Sequence, residues 1–153
     1  RAALVGALET LRDSYAPQEM MIVEYRDTSD GDGIFRKYGA FLIGDELIPH
    51  HIQYSTEWLV KQSMLDDEAL LRAELDYVTG PEPNEAALRE AFALAGIEYG
   101  RIDFSVDADG IQVWEINTNP MIVGPETPEG IRLEVREHIA ERIVDSLTRL
   151  ARR

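Results

Sequence analysis

The sequence predicts an α+β fold, an antiparallel β-sheet packed against helices, in a single domain over residues 1–153. Two pairs of strand-like segments are each joined by a short turn that contains Gly and Asp, which is typical of β-hairpins. Segments with apolar residues at helical spacing lie around these pairs and do not alternate strictly with single strands. This order of elements is typical of α+β domains.

The first half of the chain is predicted to contain one helix and three strands. Apolar residues recur at helical spacing from residue 3 to residue 11, and the helix should stop near residues 15–17, where Pro17 interrupts it. The predicted strands are residues 20–25, 35–43 and 46–53, separated by a turn of Asp, Ser and Gly at 27–33 and by Gly44-Asp45. The last two strands therefore form the first hairpin.

The second half is predicted to contain two helices, a second hairpin and a long last helix. Asp66 and Asp67 precede a helical segment that ends near Tyr77, and Asn84 precedes another that ends at Gly96. Residues 99–106 and 111–117 alternate in the manner of strands around a turn at 107–110. Apolar residues at helical spacing from 131 to 150 predict the last helix.

Composition limits the classes of partner. The chain has 29 acidic and 15 basic residues and a net charge of −14, which argues against nucleic acid or an anionic membrane as the main partner. It has no cysteine, which excludes disulfides and thiolate metal sites. No signal peptide or membrane span is visible, so a cytoplasmic location is the expectation. Because the chain starts with Arg and its helical pattern begins at once, we expect it to be part of a longer protein.

The second hairpin brings three oxygen-bearing side chains together. Strand alternation places Glu115 and Asn117 on one face, and the short turn places Asp103 opposite Glu115. Two carboxylates and one amide are ligands of the type that Mg²⁺ prefers. The alternative is a solvated acidic face without a metal. The opposite face should pack into the core through Ile102, Phe104, Trp114 and Ile116.

The same residues carry a resemblance to a known family. Residues 100–104, Gly-Arg-Ile-Asp-Phe, and residues 114–120, Trp-Glu-Ile-Asn-Thr-Asn-Pro, resemble the metal-binding hairpin of the ATP-grasp superfamily. The resemblance implies that Asp103, Glu115 and Asn117 hold one or two Mg²⁺ ions, with Mn²⁺ as an alternative, which bridge the phosphates of ATP. It also implies that the chain corresponds to the C-terminal part of an ATP-grasp domain, whose N-terminal subdomain would lie upstream.

The segment at 20–26 resembles the strand whose backbone reads the adenine edge in that superfamily, which implies nucleotide contacts at Val23, Glu24, Tyr25 and Arg26. An acidic residue that follows usually binds the ribose, and Asp27, Asp30 or Asp32 could do so; Asp30 is our candidate. The alternative is a plain surface turn. The same turn matches the middle of an EF-hand loop, but Thr28 and Gly39 stand where the first and twelfth ligands are needed, which excludes that reading.

Cationic side chains beside the first hairpin are further candidates. Arg36 and Lys37 begin one strand and His50 and His51 lie near the end of its return strand, and alternation prevents Arg36 and Lys37 from facing the same site. We expect Arg36 and His51 to contact phosphates or a substrate carboxylate, although solvent-facing cations are the alternative. Gly39 stands where members of the superfamily often have Arg. Asn119 lies where they build part of the acceptor site, or in an ordinary connection.

The resemblance implies an ATP-dependent ligase. A small-molecule or peptide carboxylate would attack the γ-phosphate of ATP to form an acyl phosphate, and an amine acceptor would then displace phosphate. The lysines and glycine-rich lid that the superfamily carries on its N-terminal subdomain are not found in the chain, so we expect the chain alone to bind ATP weakly and to be an incomplete enzyme. The alternatives are a non-catalytic interaction or regulatory module and an acidic domain that binds no nucleotide. The sequence names neither substrate.

Overall fold

A computed structural model describes residues 2–61, 63, 65, 67–122, 124 and 128–152. The helices and strands follow the predicted order, except that residues 20–25 form no strand. The helices are α1 Ala2–Leu11, α2 Glu68–Thr79, α3 Glu85–Ala95 and α4 Ile131–Leu150, with a single 3₁₀ turn at Pro17–Glu19. The strands are β1 Phe35–Ile43, β2 Glu46–Ser55, β3 Tyr99–Asp107 and β4 Gly110–Asn117. The predicted α+β class is therefore confirmed.

Local sequence explains where the helices begin and end. The Asp67 carboxylate accepts hydrogen bonds from the first backbone N–H groups of α2 and thereby caps the helix. Asp66, predicted beside it, lies outside the described residues. Gly96 ends α3 with a φ of 67°, a left-handed conformation that glycine adopts without steric cost.

The predicted strand at residues 20–25 is wrong. The segment forms no ladder with any strand in the described ranges, and its Met21, Ile22 and Tyr25 side chains are exposed. Apolar content suits a strand, but a strand also needs a neighbour that accepts and donates its backbone hydrogen bonds. The only bridge near this region joins Ser29 to Phe35 in the part of the chain that the structure describes.

The four strands form one antiparallel sheet in the order β2-β1-β3-β4. One face, which includes Ala40 and Leu42, packs against Leu88 and Phe92 of α3. Alternate residues of β1 point to the other face, where Phe41 packs with residues of α2 and α4. These helices cover only part of that second face, which leaves the remainder open for a site.

Each hairpin contains one β-bulge in its outer strand. In the first hairpin Gly39 pairs with His51 and Ala40 with Pro49, so His50 is the extra residue. In the second hairpin Asp103 pairs with Glu115 and Phe104 with Val113, so Trp114 is the extra residue. A bulge leaves one residue unpaired and redirects its side chain. The alternation that sequence patterns assume is therefore broken once in each hairpin.

No helix within the described residues combines the length and the apolarity needed to cross a membrane.

Candidate functional site

A row of four residues crosses the whole sheet between the two bulges. His51, Gly39, Asp103 and Glu115 are successive cross-strand partners in β2, β1, β3 and β4. Cross-strand partners point to the same face. Gly39 has no side chain, and the His51 ring fills the space above it, since a Cβ on Gly39 would lie 2.5 Å from His51 Cε1. The row therefore places an imidazole and two carboxylates on one face.

Asp103 is a buried carboxylate between two cations. It is 1% exposed, and its oxygens lie 2.8 Å from Arg101 Nε and 3.3 Å from Lys37 Nζ. Arg101 is two residues earlier on the same strand face, and Lys37 extends from the neighbouring strand. A carboxylate that loses its water needs such partners because burial of an unpaired charge is costly. Arg101 and Lys37 therefore supply the partners that the buried Asp103 side chain needs.

Glu115 and Asn117 complete the predicted set of oxygen ligands. Glu115 is exposed and lies opposite Asp103, while Asn117 lies two residues further on and opposite Arg101. The Asn117 Oδ1 accepts a hydrogen bond of 2.8 Å from the backbone N–H of Asn119. The three side chains therefore belong to one face and one end of the hairpin, as predicted.

Whether these three side chains can bind a metal ion depends on the chemistry of their oxygen atoms. The oxygens are of the hard type that Mg²⁺ takes, but both Asp103 oxygens are engaged by cations. Within the described ranges, no three His, Asp or Glu side chains converge closely enough to hold a metal. Asp103, Glu115 and Asn117 offer oxygen donors on one face, and Asp103 would have to exchange at least one of its ion pairs to bind a cation.

A cleft of about 310 Å³ lies over the open half of this face. Its walls include three cations, Lys37, Lys61 and Arg101, beside the carboxylates of Asp103 and Glu115. The remaining lining residues are Thr28, Gln53, Trp58, Leu59, Val60, Ser105 and Trp114. In a chain with a net charge of −14, this local group of cations offsets the negative field where an anion would bind. The cleft therefore offers cationic contacts to an anion.

Two indole rings form one side of the cleft. Trp58 and Trp114 meet edge to face with their ring centres 6.2 Å apart. Trp114 Nε1 donates a hydrogen bond of 2.9 Å to the Ser105 hydroxyl, and Trp58 Nε1 donates one of 3.0 Å to the Arg26 carbonyl. The prediction that Trp114 faces the core is wrong, because the bulge turns it to the same face as Glu115. The rigid rings offer a flat apolar surface.

Of the residues predicted to contact the nucleotide, Tyr25 and Arg26 contact Trp58 in the wall of this cleft. The Arg26 guanidinium donates hydrogen bonds of 2.5 and 3.0 Å to Asp107 and a further one to Asp109. It therefore binds the turn of the second hairpin. Tyr25 packs near Trp58 with ring centres 5.6 Å apart. Val23 and Glu24 are exposed. The segment thus reaches the cleft through Tyr25 and the Arg26 carbonyl.

Arg36 lies on the other side of the sheet from the cleft. Its guanidinium binds Asp30 at 2.6 Å and Asp32 at 2.8 Å. Hydrogen bonding from Arg36 lowers the pKa of Asp32 to about 2. Strand alternation makes Lys37, not Arg36, the residue that faces Asp103. The expected position of Arg36 at the phosphates is therefore corrected, and Asp30 serves as its ion-pair partner.

His50 and His51 form a directly bonded pair beside the row. Their Nδ1 atoms are 2.7 Å apart, and His50 Nε2 lies 3.3 Å from the Ile122 carbonyl oxygen. Burial lowers the pKa of His50 to about 4. Burial, and then the positive charges of His50, Arg101 and Lys37, hold the pKa of His51 well below its usual range. Both imidazoles are therefore neutral at pH 7.

Asn119 is exposed in the connection after β4, and its backbone N–H group is used by Asn117. Several cleft residues were not singled out as candidates from the sequence. Arg101 carried a signal, because it stands two residues before Asp103 on the same strand face. Trp58 and Lys61 lie in a connection without periodicity, where no pattern predicts the direction of a side chain.

Comparison with known proteins supports the class of protein suggested by this site. Over 120 residues the chain is 29% identical to the D-alanine–D-alanine ligase of Dechloromonas aromatica (strain RCB). The aligned region covers 75% of this chain and 38% of that ligase. No protein-family model and no solved structure matches the chain. The fold is consistent with half of an ATP-grasp domain, and the similarity supports the ATP-grasp superfamily.

More particularly, the similar protein is an ATP-dependent ligase. This chain spans less than half of the length of that ligase.

Proposed function

We propose that the chain forms the Mg-ATP binding part of an ATP-dependent ligase that joins a carboxylate to an amine. The observation that carries the proposal is the row from His51 to Glu115, which places two carboxylates beside a cleft lined by three cations. A carboxylate oxygen would attack the γ-phosphorus of ATP and release ADP, forming an acyl phosphate. The amine would then attack the acyl carbon and release phosphate.

The chain's own residues would bind and orient the phosphates. Lys37, Lys61 and Arg101 line the cleft and would contact the phosphate oxygens. Asp103, Glu115 and Asn117 would hold Mg²⁺ or Mn²⁺, which when bound offsets the charge that develops during phosphoryl transfer. Catalysis would come from positioning and charge stabilisation, since phosphoryl transfer needs no side-chain nucleophile.

The nucleotide ring would lie against Trp114, and Val23, Glu24, Tyr25 and Arg26 would contact the nucleotide from the neighbouring segment. Trp114 is the only indole whose direction is set by the bulge, and its ring is fixed by the Ser105 hydroxyl. Asn119 would contribute to the acceptor site. The acceptor amine and the carboxylate substrate would enter beside these residues.

The complete enzyme would be a longer cytoplasmic polypeptide in which this chain is the C-terminal part of the ATP-grasp domain. The ligase that it resembles is more than twice as long as the aligned region. The segment at 20–25, which joins no strand ladder within the described residues and exposes Met21 and Ile22, is consistent with a further domain that packs beside it. The test compares the rate of ADP release by this chain with the rate for its longer parent. Equal turnover by the short chain would refute this part of the proposal.

Calorimetric titration with ADP in the presence and absence of Mg²⁺ tests the function. We expect Mg²⁺-dependent binding that Glu115→Gln weakens by about tenfold, equivalent to roughly 1.4 kcal/mol. Glu115 is exposed, so this variant should fold normally. Arg72→Ala is the matched control, because Arg72 forms an exposed ion pair with Glu68 on α2. Binding that does not depend on Mg²⁺ or Glu115 would contradict the proposal.

The second candidate is a non-catalytic module with the same fold, and the pairing of Asp103 favours it. Both carboxylate oxygens are engaged by Arg101 and Lys37, as a purely structural ion pair would be. In that case Glu115→Gln would leave the protein unchanged, and Asp103→Asn would lower stability without any effect on nucleotide. The same titration therefore separates the two candidates.

A further inference from the structure

His51 carries an atom that the fold leaves without a hydrogen-bond partner. Its Nε2 is shielded from solvent and has no partner within the described residues. A buried polar atom without a partner destabilises a fold, so native proteins retain few of them. The atom belongs to the row that carries the candidate metal ligands, with only Gly39 between His51 and Asp103. The tautomer of His51 decides whether this atom donates or accepts a hydrogen bond.

Two contacts determine the tautomers of the histidine pair. A carbonyl oxygen only accepts, so His50 Nε2 must donate its proton to Ile122. Because His50 is neutral, its Nδ1 then has no proton and must accept from His51 Nδ1. Neutral His51 consequently has its single proton on Nδ1. Its buried Nε2 is therefore a bare lone pair, which can accept a hydrogen bond but cannot donate one.

The ammonium group of Lys37 is the donor that could form a hydrogen bond to this lone pair. Lys37 stands two residues before Gly39 on the same face of β1, and its Nζ lies 3.3 Å from Asp103 Oδ2. Asp103 is the cross-strand partner of Gly39, and the His51 ring covers Gly39 from the other side. Ammonium, carboxylate and imidazole are thus grouped around the one position in the row without a side chain.

We propose that Lys37 has two positions: it pairs with Asp103 in the free protein, and it moves to His51 Nε2 when a divalent cation occupies Asp103. This inference rests on the proposed function. A cation at Asp103 repels the ammonium, and a half-buried ammonium left without a partner is unfavourable. The bare Nε2 of a neutral imidazole supplies a new acceptor without adding charge. His50 is then a positioning residue, because it determines the tautomer of His51.

The tautomers are tested first in the free protein by ¹⁵N NMR of the imidazole nitrogens. We expect protons on His50 Nε2 and His51 Nδ1, and an unprotonated His51 Nε2. His50→Phe removes the acceptor for His51 Nδ1 and should let the His51 proton exchange between both nitrogens. A proton fixed on His51 Nε2 in the wild type would overturn the inference without any bearing on nucleotide binding.

The movement is tested by titrating the same sample with Mg²⁺ alone. The His51 Nε2 resonance should shift upfield as it accepts a hydrogen bond, and Lys37→Met should abolish that shift. Lys37→Met should also raise the affinity for Mg²⁺ by roughly tenfold, because a competing charge beside Asp103 is removed. Arg72→Ala is again the control.

A matched pair of variants isolates the acceptor. His51→Gln can place an oxygen near the position of Nε2, whereas His51→Asn reaches only the position of Nδ1. We expect His51→Asn to bind Mg²⁺ more weakly than His51→Gln. Saturable Mg²⁺ binding with an unmoved His51 Nε2 resonance would overturn this inference and leave the proposed function intact. Failure of Mg²⁺ to bind the wild type would overturn both.

Discussion

The two hairpins use the same backbone device with opposite results. Each has a single bulge in its outer strand beside the row that crosses the sheet. In the first hairpin the extra residue, His50, is packed against Phe41 and bonded to Ile122. In the second the extra residue, Trp114, lines the cleft. The bulge redirects a side chain, but the elements packed over that part of the sheet decide whether it becomes buried structure or part of a binding surface.

The largest effect should come from Asp103, the buried carboxylate that the second hairpin contributes to the row. Asp103→Ala leaves Arg101 and Lys37 without their common partner, so we expect a loss of about 3 kcal/mol in the free energy of unfolding. Urea unfolding measures this loss. Glu115→Gln, at the exposed end of the same row, should change stability by less than about 0.5 kcal/mol. Similar losses in the free energy of unfolding for the two variants would contradict the assignment of Asp103 as buried and Glu115 as exposed.

Acidification should act on the first hairpin through its histidines. The folded-state pKa of His50 is about 4, below the ordinary value of 6.5, so the unfolded chain binds more protons between these values. Stability from His50 is therefore complete above pH 6.5 and is lost as the pH falls towards 4. We expect about 2 kcal/mol of loss between pH 7 and pH 5 from this residue. Denaturant titrations of the wild type and of His50→Phe at both pH values should differ accordingly; parallel curves would refute the assignment.

Substitution of Gly39 tests the packing between the hairpins. An added Cβ would meet the His51 ring at 2.5 Å, so Gly39→Ala should cost roughly 1–3 kcal/mol through overpacking. Gly31→Ala is the control, because a Cβ there meets no atom within 4 Å. The melting temperature reports both variants. The double variant Gly39→Ala/His51→Ala should recover part of the loss, and an additive loss would show that His51 is not the residue in the way.

Trp114→Phe, in the second hairpin, should destabilise the protein less than Asp103→Ala. Phe keeps a ring in the cleft but lacks the N–H that donates to Ser105, so we expect a loss of about 1 kcal/mol in stability. ADP affinity should fall less than for Trp114→Ala, because a ring surface remains. Equal ADP affinity for Trp114→Ala and wild type would exclude Trp114 from the nucleotide site.

The sequence predicted the helices and both hairpins because these depend on local signals. Capping by Asp67, the left-handed Gly96 and the short turns act within a few residues of the chain. Asp103 and Glu115 were correctly predicted to be partners for the same reason, since the turn length sets the register.

The errors arose where a side chain's direction depends on distant elements. A bulge inserts one residue without any change in composition, so Trp114 looked like a core residue. The segment at 20–25 has the apolar content of a strand but lacks a pairing edge in the described part of the chain. Whether Arg36 or Lys37 faces the cleft could be decided only when the face of β1 opposite α3 was known.

Paramagnetic Mn²⁺ tests most directly the proposal that the second hairpin holds a divalent cation on the cleft face. Substoichiometric Mn²⁺ with ADP should broaden the backbone amide NMR signals of Asp103, Glu115 and Asn117 first. The signals of α3, on the opposite face of the sheet, should persist. Broadening that begins instead at the acidic turn of Asp30 and Asp32, and spares the hairpin, would contradict the claim.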